Sequence, residues 1–456
     1  MIMSLLFSID ITLLLLLEGA LIARLILRTN RLWLLLSLGL PIAAFLNVLI
    51  VFDWTLLGVP LTPLSLLLPH AIVTGILAIL ACKVSVSHQK YEHLPASKGS
   101  RNENILAAFC LALIAVSFVY SFAHAVLLPT FQYDSATNWT MRSKISFEDQ
   151  SIAFDTNEDR GMAKPQYPFL FHALQITVNQ GQTRWNDAAA NAILWLLSFS
   201  SFLGIFLILR GFLERTSALV TVTMILGIPL LSLHLGQGYA DIVLLQEFLL
   251  SLACLLAWNK SGEGKWLMLS GIFVAASVWT KSEGLVFGLL PWLLIVLSIA
   301  IFMKEHRKAA FRNGALTVAL SIAWPLFALS RGFLLTPHGS DTSVAFHPEG
   351  LPEVLLGMFD RGSFGIAWYV LLITVPWMIV EVLRKRDCRK ELLPLAWGLM
   401  VFLEVIFVYL FTPNVQFLQN AQSYYRQMMI PAAMLMLTVC AWFSAHNPPV
   451  ETQSRS

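Results

Sequence analysis

The chain has 456 residues, of which 57% are hydrophobic and 12% charged, with a mean hydropathy of +0.71 and a net charge of +3. A soluble globular chain carries about 25% charged residues, so a soluble enzyme is excluded and a polytopic membrane protein is expected. A nucleic-acid partner is excluded as well, because the basic residues fall in short stretches between apolar runs rather than in one patch.

A helix crossing ~30 Å of hydrocarbon needs about 20 mainly apolar residues. Runs of this kind predict thirteen spans, at 9–27, 32–51, 62–82, 104–127, 188–209, 216–236, 239–258, 265–281, 284–303, 313–333, 363–383, 391–412 and 427–444. The opening MIMSLLFSIDITLLLLLEGA has no basic stretch and no small-residue cleavage site, so it reads as a retained first span. The cysteines are Cys82, Cys110, Cys254, Cys388 and Cys440. None falls in the long polar interval 128–187, so no exported disulfide framework is implied.

Sidedness follows from the basic residues. Of the 30 Lys and Arg, 21 fall on one set of loops, which the positive-inside rule makes cytoplasmic. The C-terminus is then inside, and the N-terminus and the 128–187 interval are outside. The nine cations on the outer side are Arg142, Lys144, Arg160, Lys164, Arg184, Lys281, Arg331, Arg361 and Arg426. Ionisable groups at a membrane edge are functional suspects. The organisation expected is N-terminal transmembrane helices over 1–83, a polar cytoplasmic linker over 84–103, a main unit over 104–445, and a disordered tail over 446–456.

The 128–187 interval is the longest polar stretch. Asp134 follows a span, and residues 135–147 can form a helix with Ala136, Trp139, Ser143 and Phe147 on one side. Asp134 is either that helix's N-cap or a catalytic carboxylate at the bilayer surface. Glu148, Asp149, Asp155, Glu158 and Asp159 then form an acidic, turn-like piece. Carboxylates suit divalent cations, but the spacing matches no fixed metal pattern, and solvated loop charge accounts for it better. In KPQYPFLFHALQ, Pro165 and Pro168 fix the backbone ahead of a short helix at 169–178. Lys164 could hold a phosphate or pair with an upstream acid, and Tyr167 could line a lipid or sugar path.

Later loops on the same side add further polar points. In HLGQGYADIVLL, Asp241 opens a span and is either a cap or a site residue. Glu247 lies two turns deeper, where a carboxylate needs a partner. VWTKSEGLVF brings Lys281 and Glu283 to another outer turn, where they could simply pair. Arg331 and Arg361 flank the 334–362 loop, and Tyr424, Tyr425 and Arg426 open the last span. A transporter places such groups near the bilayer midplane, whereas these gather at one edge.

Five pieces in this order resemble the GT-C-type membrane glycosyltransferases, the group that includes protein O-mannosyltransferases and bacterial lipopolysaccharide and aminoarabinose transferases. They are YDSATNW after an early span, KPQYPFLFHAL closing the first long loop, GYADIVLL, TKSEGL, and YYRQMMIP before the last span. The resemblance covers roughly residues 104–435. It implies a bundle of about a dozen helices with a cavity under the first large loop; with the spans read above, the expected fold is an all-α membrane protein of about 13 transmembrane helices with a large outward-facing first catalytic loop. The donor it implies is a sugar on a polyprenyl phosphate. Asp134 would be the carboxylate assisting the acceptor, and Lys164 or Arg426 the cation meeting the lipid phosphate. The chain departs from the mannosyltransferase pattern in having Ser135 after Asp134 rather than a second acid, and KPQYP rather than a lysine followed by two prolines.

The expected function is therefore transfer of a hexosyl or pentosyl group, with inversion, from a polyprenyl-phosphate donor to a glycan, lipid or protein acceptor. The reaction would take place on the outer face of a bacterial inner membrane. Asp134 is the catalytic candidate; Lys164, Tyr167, Asp241, Lys281, Glu283, Arg331, Tyr425 and Arg426 are the substrate-binding candidates. A divalent cation could assist, although no ligand set is readable. A polymerase or ligase of lipid-linked oligosaccharides, or a transporter or flippase, are the alternatives.

Overall fold

The computed structural model describes residues 2–85, 100–154, 166–333, 343–384, 389–418 and 422–446. In hydrocarbon, only structures that satisfy every backbone polar group internally can span, and the described residues contain helices and no strand. In chain order the helices are α1 (Ile2–Leu27), α2 (Leu32–Leu57), α3 (Pro63–Lys83), α4 (Arg101–Val126), α5 (Thr140–Glu148), α6 (Leu170–Asn179), α7 (Asp187–Leu209), α8 (Arg215–Leu226), α9 (Pro229–His234) and α10 (Ala240–Ser261). They continue with α11 (Gly264–Thr280), α12 (Leu290–Phe302), α13 (Arg307–Ser321), α14 (Ala323–Ser330), α15 (Leu351–Met358), α16 (Arg361–Phe364), α17 (Ala367–Arg384), α18 (Leu392–Phe411) and α19 (Gln422–His446).

Eleven helices among the described residues are long and apolar enough to cross a membrane. The chain is a multi-pass membrane protein. The other two expected spans are also helical but shorter. The 216–236 run breaks into α8 and α9 at Gly227–Pro229, because a proline pushes its predecessor out of the helical region; Ile228 has φ −72° and ψ 111°. The 265–281 run becomes α11, whose 17 residues give only about 25 Å of helix.

Burial separates centre from rim. The apolar window of α10 is wholly enclosed by its neighbours, whereas in α3 and α4 only 22% of it is. Side chains such as Leu64, Ile72, Phe109, Val116 and Val119 on those two helices are exposed, as lipid-facing residues should be.

α1 and α2 are packed into the bundle. They meet at Gly19 and Gly39, where a Cβ on Gly19 would fall on the Gly39 carbonyl, the small-residue contact by which membrane helices approach closely. Phe52 of α2 meets Trp279 of α11 edge to face, with ring centroids 4.9 Å apart. Buried Glu18, Asn47, His70 and Thr177 form one polar seam through α1, α2, α3 and α6. The His70 Nδ1–Glu18 Oε2 distance is 2.7 Å, and the Thr177 hydroxyl donates to Asn47 Oδ1 at 2.9 Å. His70 Nε2 lies 3.1 Å from Asn47 Oδ1 and joins the two pairs, so each of the four side chains has a partner, while Glu18 Oε1 and Asn47 Nδ2 are left without one among the described residues.

Candidate active site

Four separate parts of the chain bring their polar ends together. α4 ends at Val126, and Pro129 cannot extend it. The chain resumes helical geometry at Asp134, passes through a π-helical turn at Ser135–Trp139 and continues as α5. π turns inside helices recur at functional sites. The Ser135 hydroxyl donates to the Gly238 carbonyl at 3.1 Å, tying this turn to the segment before α10. Gly238 has φ +68°, and a Cβ there would lie 2.8 Å from the Ser135 Oγ. Glycine is required on both counts.

Asp134 is not an N-cap. Its own backbone is helical (φ −62°, ψ −38°) and its carboxylate makes no capping bond. Instead Oδ1 accepts from Asn138 Nδ2 at 2.9 Å, and Oδ2 lies 2.6 Å from Arg426 Nη2. Asp241 is not a cap either, since Tyr239 holds that position. Its Oδ1 accepts from Lys281 Nζ at 2.9 Å, and its Oδ2 is 3.5 Å from Arg426 Nη1. Lys281, extended at the end of α11, also reaches Glu283 Oε1 at 2.8 Å. Glu283 opens a second π turn, Gly284–Leu289, and accepts from Gln427 at 3.5 Å. The Arg426 guanidinium sits over the Tyr239 ring, 5.0 Å from its centroid.

The result is one ionic chain, Asp134–Arg426–Asp241–Lys281–Glu283, in which three carboxylates face two cations. Side-chain exposure rises from its centre toward both ends: 2% for Asp241, then 8% for Lys281 and 13% for Glu283 on one side, and 16% for Arg426 and 29% for Asp134 on the other. The inner members hold one another, and Asp134 is the member open to an incoming molecule. Beneath them, both oxygens of the buried Glu247 accept from the Thr280 hydroxyl, at 2.9 and 2.8 Å. This is the partner an intramembrane carboxylate needs.

The remaining sequence candidates lie differently. Lys164 is outside the described residues, as are Asp155, Glu158 and Asp159. Tyr167 is buried beneath the π turn with its ring 5.1 Å from that of Trp139, and burial raises its phenol above the ordinary value. Arg331 is exposed, its guanidinium over the Phe327 ring, and makes no ion pair with the network. Tyr425 turns its ring toward Tyr424 and Phe364 rather than toward Arg426. Among the described residues no three His, Cys, Asp or Glu are grouped to hold a metal.

Two residues of the loop matter more than their sequence context suggested. Arg142 is fully buried; its Nη1 donates to the Tyr167 carbonyl at 2.6 Å and its Nε to the Ala153 carbonyl at 3.1 Å. Burial lowers its pKa to about 9, so it is still a cation at neutral pH, and it ties the backbone at Ala153 to that at Tyr167. His172 Nδ1 lies 2.9 Å from the Ser143 hydroxyl, and its ring stacks on Trp139. Burial, then the nearby Arg142 charge, hold its pKa well below the ordinary value, so it is neutral. Asn138 was detectable in the sequence, four residues after Asp134 and so on the same helix face.

No family model matches the chain, and no curated protein sequence matches it. Its structure is similar to the crystal structure of ArnT from Cupriavidus metallidurans, determined bound to undecaprenyl phosphate, with a TM-score of 0.52 at 16% sequence identity. The match covers 73% of this chain and 60% of that one, so the chain spans less than two thirds of the ArnT chain's length. The chain has the fold of the GT-C-type membrane glycosyltransferases.

Proposed function

We propose that the protein transfers a sugar from a polyprenyl-phosphate donor to an acceptor hydroxyl, with Asp134 as the base. The observation that carries this reading is the ionic chain itself: four chain segments converge on a carboxylate that is held from behind and open in front. The polyprenyl phosphate bound to the structurally similar ArnT supports the donor class. The distribution of Lys and Arg supports a site on the outer face of a bacterial inner membrane.

In the proposed reaction the acceptor oxygen attacks the anomeric carbon as its proton passes to Asp134. The bond from that carbon to the phosphate oxygen breaks, and the lipid phosphate leaves with the electron pair. A single displacement inverts the anomeric configuration. Asn138 and Arg426 fix the two carboxylate oxygens, and Asp241, Lys281 and Glu283 fix Arg426. Lys281 is bonded to two carboxylates and serves this support, while Lys164 is the cation proposed for the phosphate. A divalent cation, if bound, would neutralise charge on the departing phosphate; no ligand set for it is found among the described residues. Hexose or pentose, and glycan, lipid or protein acceptor, are choices for the assay to make.

The test is a transfer assay on nanodisc-embedded protein with a panel of polyprenyl-phosphate sugars. Asp134→Asn keeps the shape and the Asn138 contact but cannot take a proton. General-base loss costs roughly 10²–10⁴ in rate, and that fall is expected with folding intact. Near-normal turnover in Asp134→Asn removes the proposal, and lipid movement without bond cleavage would indicate a flippase instead.

A further inference from the structure

At the far end of the loop's helical arm lies a cavity of about 980 Å3, toward the upper end of the range for small-molecule sites. It is separate from the ionic chain, whose five residues are absent from its lining. Its walls come from the end of α4, the last turns of α5 and the α6–α7 connection. Lys144 lies ten residues beyond Asp134, about 15 Å along a helix at ordinary rise.

The lining has a chemical character of its own. Trp185 and Phe147 meet edge to face with centroids 5.8 Å apart. The Trp185 N–H donates to Asp187 Oδ1 at 2.6 Å, and Lys144 Nζ reaches the same oxygen at 3.3 Å. Asp187 is thus committed, and it fixes the indole plane. Arg184 and Glu148 are exposed at the cavity and make no ion pair among the described residues. The wall therefore offers one unengaged guanidinium, one unengaged carboxylate, a locked aromatic edge and the apolar turn Leu127–Pro129, with two charges of each sign. A strongly anionic ligand would meet as much repulsion as attraction there. A ring with hydroxyls around its edge and C–H groups on its faces is matched throughout: hydroxyls both donate to a carboxylate and accept from a guanidinium, and the C–H face lies on indole.

We propose that this cavity is a distal subsite for an uncharged oligosaccharide portion of the acceptor, so that the protein elongates or decorates a glycan several rings long. This rests on the glycosyl-transfer reading above, whose test is separable. The experiment is saturation-transfer NMR on the full chain in nanodiscs, with an array of neutral oligosaccharides of one to six units and their phosphorylated counterparts. Neutral members of three or more units are expected to bind. Trp185→Ala and Arg184→Ala should each weaken them at least fivefold. Arg184 is exposed and makes no ion pair among the described residues, so it guards against Trp185→Ala simply failing to fold. Absence of binding by any neutral member, indifference to both variants, or a preference for the phosphorylated forms overturns the proposal. Binding that persists while Asp134→Asn still transfers sugar overturns the catalytic reading alone.

Discussion

Replacing Lys281 by methionine probes the ionic chain at its most connected point. The ammonium is within 2.9 Å of both Asp241 and Glu283, and all three side chains are largely buried. Removing one member of a buried pair costs about 3–5 kcal/mol, because the other charge is left uncompensated. Here Arg426 still lies 3.5 Å from Asp241 and Glu283 retains some solvent, so the lower end, about 3 kcal/mol, is expected. That is roughly a hundredfold in the unfolding equilibrium. Buried side chains next to the site, Trp279 among them, provide a fluorescence signal for denaturant-induced unfolding in nanodiscs. The double variant Lys281→Met/Asp241→Leu removes the stranded charge along with its partner. It should recover about 2 kcal/mol relative to the sum of the single variants, in the range for contacting groups. If Lys281→Met lies within 1 kcal/mol of the parent, or the two substitutions simply add, the chain is not an energetic unit and its support of Asp134 fails.

Two further outcomes follow from the loop. Asn138→Ala removes the donor to Asp134 Oδ1 while leaving the ion pair to Arg426, so kcat should fall about tenfold (~1.4 kcal/mol, one hydrogen bond to a charged group) with KM for the donor nearly unchanged; an equal rise in KM would show that Asn138 binds substrate instead. His172 is held neutral in the folded protein, and an unfolded histidine takes up its proton near pH 6.5. The unfolded state then binds more protons as pH falls below about 6.5, so stability drops. In His172→Gln that part of the loss between pH 7 and 5 should disappear, and an unchanged pH profile would refute it.

The spans were legible because hydrocarbon imposes a length and a composition that can be read residue by residue. The helices at 135–147 and 169–178 were legible from local pattern, and the structure has them at Ser135–Glu148, through the π turn, and Leu170–Asn179. The choice between cap and site for Asp134 and Asp241 was not legible. It depends on Arg426, nearly three hundred residues from Asp134 in sequence, and no local rule places that guanidinium. Asp241 and Lys281 were each visible as polar points at a membrane edge, but their contact is a matter of how α10 and α11 end. Arg142 was counted among the outer cations without a role. Its role, bonding the Ala153 and Tyr167 carbonyls, appears only when these two separate points of the loop are seen together.

The charge count of the ionic chain bears on which substrate it serves. With three carboxylates and two cations, both cations are already committed to acids, and Lys281 is nearly enclosed. An anionic phosphate arriving at the chain would have to displace a carboxylate from a buried pair, at a cost of several kcal/mol. An acceptor hydroxyl, neutral and a donor, needs only the outward oxygens of Asp134, the most exposed member. In the proposed reaction this charge count favours a division of labour in which the chain faces the acceptor and the phosphate takes its cation from outside the chain.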